Sequence, residues 1–354
     1  MEARKVQRVG YSTLTVSLPR DWVQEVKLNA GDIVSLKRED DDSLKLIPGT
    51  EHKREEVRNC VINSDLCNSP NLLARVIKAN YILGHDTIQV VARDKLEKVH
   101  LEEIRETTQH LNGISIVEQT LKQVVLQSFV DPTRFPINGL LRRLYIIVSS
   151  MVDASIKALL VARPELAVEV IHMEEESDKI YWLIVRQLLL AVRDRSTASK
   201  IGIESPLHIL GNRVVAKTLE EMADSAKNIA SEILALEDME ITSENILKDI
   251  SKFAGQVNQI SKQSIEALFT GEIRRANEAV EMVLSAENDE RRLTEKILSH
   301  VKDVSRATSL RIIIRNLGQI AKYCKIIGEI TINRVMENPS EICEYLSDST
   351  PRPR

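Results

Sequence analysis

The sequence predicts a multi-domain, mainly α-helical protein: a small β head, a small α/β domain and two tandem three-helix bundles. Three observations predict it. The chain has 354 residues, too many for one ordinary core. It is 43% hydrophobic but only 3% aromatic, a balance that favours helical bundles over all-β domains. Its first 50 residues are rich in strand formers, whereas the stretch after Pro136 is amphipathic with helical period.

The head is expected over 1–50. In "TLTVSL" the apolar Leu14, Val16 and Leu18 alternate with Thr13, Thr15 and Ser17, a strand period. Pro19 stops the ladder and sits just before a short helix, "RDWVQEV". "NAGD" is a turn with Gly31, and "IVSLKR" and "SLKLIP" form a hairpin around the acidic Glu39–Asp42. The order is strand, short helix, strand, strand. A core this small is marginal alone, so the head is expected to dimerise. The whole chain carries a formal net charge of −4, yet residues 1–20 hold Arg4, Lys5, Arg8 and Arg20 against Glu2 alone. A basic start on an acidic chain fits either an anionic partner or a solvated arm.

A small α/β domain is expected over 56–131. "VRNCVIN", "DTIQVVAR", "ISIVEQ" and "QVVLQSFV" read as strands. "SPNLLARVIKANYILG" reads as a helix capped by Ser69 with Pro70 first, and "LEEIRETTQHLNG" as one ended by Gly113. The β-α-β-α-β-β order makes a sandwich without a Gly-rich phosphate loop, with His85, Asp65 and Asp86 in turns. Its role is open between small-ligand binding, dimerisation and spacing.

Two bundles are expected over 137–238 and 243–340. Leu140, Leu141, Leu144, Ile147, Val148, Met151 and Ile156 make one apolar stripe. Pro164 opens a second helix, and Ser205 with Pro206 a third. Three more fall at roughly 243–270, 272–302 and 305–337. The six read as two copies of three, because "RVVAKTLEEMADSAKNI" from Arg213 aligns with "RIIIRNLGQIAKYCKII" from Arg311.

Chemistry concentrates in the first copy. Glu174 and Asp178 lie four apart, as do Glu220 and Asp224, with Asn228 and Glu232 continuing the row. That spacing stacks carboxylates on one helix face, where like charges repel. A cation held between two helices would relieve the repulsion; a solvated acidic face is the alternative. His172 lies beside the row, and Glu169 with His172 forms a Glu-x-x-His unit that has no second copy in the helices, which argues against a di-iron oxidase. No G-x-S-x-G, Walker loop or H-E-x-x-H is present, so the chain is read as binding rather than catalysing. Cys60, Cys67, Cys324 and Cys343 lack zinc or redox spacing, which suits a reducing, cytoplasmic setting. The greasiest segment, "LIVRQLLLAV", is broken by Arg186, so no membrane insertion is expected.

Two family resemblances emerge from these residues. The helical part resembles the PhoU family of phosphate-signalling regulators, most specifically in "LEEMADSAKNIASE" from Leu219 to Glu232. That family binds metal clusters through Glu/Asp-x-x-x-Asp pairs. The resemblance implies Glu174, Asp178, Glu220, Asp224 and Asn228 as ligands for iron, Mn, Mg or Zn, in the first bundle only. The second copy offers Glu287, Arg291, Gly318 and Lys322 at the matching positions. The opening stretch, above all "LNAGDIVSL", is similar to the AbrB/SpoVT swapped-hairpin domain, in which two chains interleave into one β-barrel. Most such domains bind DNA, implying Arg4, Lys5, Arg8, Ser12, Thr13 and Arg20 as contacts, with Glu39–Asp42 pointing away. Together the resemblances imply a non-enzymatic, cytoplasmic homodimer that binds DNA and regulates phosphate uptake. The alternative is an adaptor that docks to a phosphate transporter or signalling kinase without touching DNA.

Overall fold

The structure, a computed structural model, describes residues 3–38, 43–49, 58–236, 244–340 and 342–344. It divides into two compact units, Met1–Val57 and Arg58–Arg354.

In the first unit β1 (Gln7–Val9) and β2 (Thr13–Thr15) form an antiparallel hairpin. The turn is possible because Gly10 adopts φ +71°, a left-handed conformation that costs glycine little. The sequence reading missed this first strand: the stretch folds back at Gly10 instead of entering directly at Thr13. Helix α1 (Arg20–Glu25) follows Pro19, and β3 (Val34–Arg38) pairs antiparallel with β4 (Leu44–Pro48). The two hairpins remain separate two-stranded sheets. No side chain whose exposure is described is buried in this unit. Val6, Leu14, Ile33, Leu36 and Leu44 are each more than half exposed. Lone hairpins with uncovered apolar faces are marginal in water, which is the physical case for a partner. Glu39–Asp42 lie outside the described residues.

The second unit opens with the α/β layer. Its elements are β5 (Asn59–Asn63), α2 (Leu72–Ile82), β6 (Thr87–Val91), α3 (Lys98–Gln109), β7 (Ile114–Gln119) and β8 (Gln123–Ser128). The sheet order is β5-β6-β8-β7, with β5 parallel to β6 and the other pairs antiparallel. Ile62, Ile88, Val90, Val124 and Leu126 point to one face and pack against Leu73, Ile77, Tyr81 and Ile104 of the helices. The start of α2 differs from expectation. Ser69 does not cap it; Asn71 precedes it at φ +61°, and Glu103 of α3 accepts from the Asn71 and Ala74 amides at 3.0 and 3.1 Å. A buried carboxylate from a distant helix thus satisfies the orphan amides that a local serine was expected to take.

The bundles are α4 (Ile137–Val161), α5 (Pro164–Arg193), α6 (Arg195–Lys200), α7 (Pro206–Ala235), α8 (Glu244–Thr270), α9 (Ile273–His300) and α10 (Val304–Val335). Ser205 caps α7 through the Leu207 amide, as its sequence suggests. The extra short helix α6 was not anticipated; Asp194 caps it by accepting from Ser196 and Thr197. Helices α4, α5 and α7 form one trio and α8, α9 and α10 the other, and a single hydrophobic core runs through both. Helix α7 meets α10 at the seam, where Tyr323 donates to Glu221 at 3.1 Å and Arg334 to Asn212 at 2.6 Å. Among the described residues α4 is long and apolar enough to cross a membrane by composition, with a mean hydropathy of 1.8. Leu140, Leu141, Leu144, Val148 and Met151 are instead buried in the bundle core.

Arg186, which interrupts the apolar run of α5, is 1% exposed. Its guanidinium donates to the Tyr81 carbonyl and, at 3.1 Å, to that of His85, and lies 3.7 Å from Asp86. Arg193 donates to the Leu83 carbonyl at 2.8 Å. Two arginines of α5 therefore donate to carbonyls where α2 ends, binding the α/β layer to the first trio.

Candidate functional site

Two regions carry candidate chemistry, and each belongs to a different unit.

In the head, Arg8 lies in β1, Thr13 in β2 and Ser12 in the turn between them; Arg4 and Lys5 lie on the approach and Arg20 begins α1. All six are exposed. Arg4 donates to Ser17 at 3.4 Å. Among the described residues no carboxylate pairs with Lys5, Arg8 or Arg20, so their charge is available to an outside anion. Of these cations only Arg8 lies in the two-stranded ribbon itself; Lys5 precedes β1 and Arg20 opens α1.

In the first trio the acidic row faces across α5 and α7. Glu174 and Asp178 come from α5, Glu220 and Asp224 from α7, and Asp178 feels the charges of both Glu174 and Asp224. Burial, then repulsion from Glu174 and Asp224, pushes the Asp178 carboxyl up to about 6. Burial likewise raises Glu220 and Asp224. What the sequence reading did not anticipate is lysine among these acids. Lys227 reaches across to Glu174 at 3.0 Å, and Lys217 pairs with Glu220 and, at 2.7 Å, with Glu221. Lys78 of α2 stacks over Trp182 at 4.6 Å and tempers Asp178 from the α/β side. Lys217 and Lys227 sit three residues before Glu220 and after Asp224, a spacing that could have flagged them.

As placed, these residues do not fit a metal centre. Among the described residues no three or more His, Cys, Asp or Glu side chains gather so as to hold a metal ion. Asn228 is exposed, as are Glu169 and His172. Lysine ammonium groups already pair with Glu174 and Glu220, two of the four carboxylates that a hard cation would need, so iron, Mn, Mg or Zn would have to displace them there.

Because Asp178 holds its proton more tightly folded than unfolded, its contribution to stability is fully present below pH 3.8 and is lost as pH rises through about 6. Asp178→Asn, which cannot ionise, should therefore stabilise the protein at pH 8 by about 1–2 kcal/mol after allowance for solvent screening. The gain should fade toward pH 4. Thermal melts of both proteins at the two pH values check this; an equal difference at both would sink it.

In the second trio the corresponding face is also closed by its own cations. Lys322 lies 3.8 Å from both Glu287 and Glu290, and Arg315 lies 3.6 Å from Glu290. Arg291, matched to Asp178 by spacing, is exposed; Glu290 lies inward, in the space that Gly318 leaves by having no side chain.

Comparison with known proteins follows this division. The PhoU domain family matches residues 141–233 and 250–331, one match in each trio. The family described as antidote-toxin recognition MazE, bacterial antitoxin, matches 7–54. Among solved structures the chain is similar to PhoU from Pseudomonas aeruginosa, with TM-score 0.53 and 16% identity over 57% of this chain and 96% of that one. It is also similar to the phosphate transport system regulatory protein PhoU from Streptococcus pneumoniae, with TM-score 0.48 and 16% identity over 55% and 91%. No curated protein matches.

Proposed function

The chain belongs to the PhoU family, with a swapped-hairpin domain ahead of its PhoU body, and from that premise we propose that it is a DNA-binding regulator of phosphate uptake. It acts as a cytoplasmic homodimer joined through the heads, and it is not an enzyme. The observation that carries this reading is the row of exposed cations on and beside the first hairpin, Arg4, Lys5, Arg8 and Arg20, unmatched by acids at the last three. Such a row attracts the phosphate backbone and positions the protein, while Ser12 and Thr13 supply hydrogen bonds. The uncovered apolar side chains of the head, Leu14 and Leu36 among them, support pairing with a second copy. The PhoU body receives the phosphate signal from the transport or kinase machinery. No step is assigned to a metal, given the lysines in the acidic face.

Fluorescent duplex DNA titrated with protein in a salt series tests the reading. Binding should be strong at 50 mM salt and fall steeply by 200 mM. No binding at low salt would leave the adaptor reading, with the head serving only to dimerise.

A further inference from the structure

The sheet of the α/β layer has two faces, and helices cover one. The other carries, in register across neighbouring strands, Val61 beside Gln89, Gln89 beside Val125, and Val125 beside Glu118. Thr87 and Gln127 pair in a flanking row, as do Val91 and Gln123. None of these side chains is buried, and Val61 is 64% exposed. The four strands contain a single charged residue, Glu118, in a chain that is 28% charged. The helical side of the same layer bears Arg75, Lys78, Glu102 and Glu106. A face that only had to meet water would have no reason to lose its charges while the opposite side keeps them.

We infer that this sheet face packs against the same face of a second copy of the chain. A two-fold pairing sets each patch against itself, so any fixed charge near the axis would meet its own likeness. Glu118, the one charge in these strands, lies on the edge strand β7, so the central rows avoid that repulsion, and their glutamines both donate and accept, so an amide can pair with an identical amide. A charged macromolecular partner would find nothing complementary here. Valines between the amides supply the apolar contact that sheet-on-sheet packing requires. Four strands about 4.8 Å apart and five residues long make a patch roughly 15–20 Å across. That is smaller than the roughly 800 Å² per partner of a self-sufficient interface. The contact therefore draws its strength from the head pairing proposed above, which raises its effective concentration.

The dimer dissociation constant of the full chain, measured by sedimentation over a concentration series, tests the inference. Gln89→Lys and Gln89→Glu should each weaken self-association about tenfold or more, whereas an equimolar mixture of the two should restore it. Gln89→Ala should stay near wild type. Leu14→Asp, in the head, reports separately on head pairing. Wild-type dissociation constants for both charged Gln89 variants overturn the sheet contact and leave the head standing. Weakening by those variants but not by Leu14→Asp overturns the head pairing, and with it the claim that the sheet contact draws its strength from the head. If each charge weakens association and the mixture does not recover it, the face does not meet its own copy.

Discussion

Arg186→Ala should cost the protein about 3–5 kcal/mol, the loss expected on removing a large, fully buried side chain together with the hydrogen bonds it donates. The guanidinium fills a fully enclosed position on α5 and donates to the Tyr81 and His85 carbonyls, with Asp86 close by. It also lies over the Tyr81 ring at 4.9 Å. Truncation leaves two carbonyls at and just after the end of α2 without these donors, the half-exposed Asp86 without Arg186 beside it, and a void between the layers. Arg193→Ala removes a similar bond, to Leu83, from an exposed side chain and should cost under about 1 kcal/mol, because water replaces the donor. Urea unfolding followed by circular dichroism compares the two. If Arg186→Ala loses no more than Arg193→Ala, the arginine does not hold the α/β layer to the bundle.

The double variant Arg8→Ala with Arg20→Ala should show the largest change in DNA binding. Each phosphate contact contributes roughly 0.9 to the slope of log affinity against log salt. Two arginines per chain, doubled in a dimer, should therefore make that slope shallower by about 3–4 and reduce low-salt affinity by on the order of 10³. Both residues are exposed and outside any buried contact, so the melting temperature should stay near wild type. An unchanged slope would remove these arginines from the DNA interface, whatever the affinity.

Much of the architecture was legible because the signals are local. Six long helices follow from apolar residues at threes and fours, with starts at Pro164 and Ser205–Pro206. The strand and helix order of the α/β layer follows from the switch between periods of two and 3.6. The candidate sites were legible only as residue types. Spacing could place Glu174 and Asp178 on one face of α5, but not reveal that Lys227 would reach across from α7 to pair with Glu174. Likewise Glu290 and Arg291 are adjacent in sequence. Which of them turns inward depends on the room left by Gly318 on a different helix.

The amino-acid order by itself determined the long elements, the duplication and the basic start, though not the short β1 and α6, because backbone geometry and side-chain periodicity are set within a few neighbouring residues. Only the tertiary structure decided which polar groups meet. Glu103 caps a helix 32 positions away from its partner Asn71, and Arg186, a break in an apolar run on paper, is sealed between two layers. Such pairings depend on distances between separate elements, and in a desolvated interior each buried charge persists only where the fold delivers a partner to it.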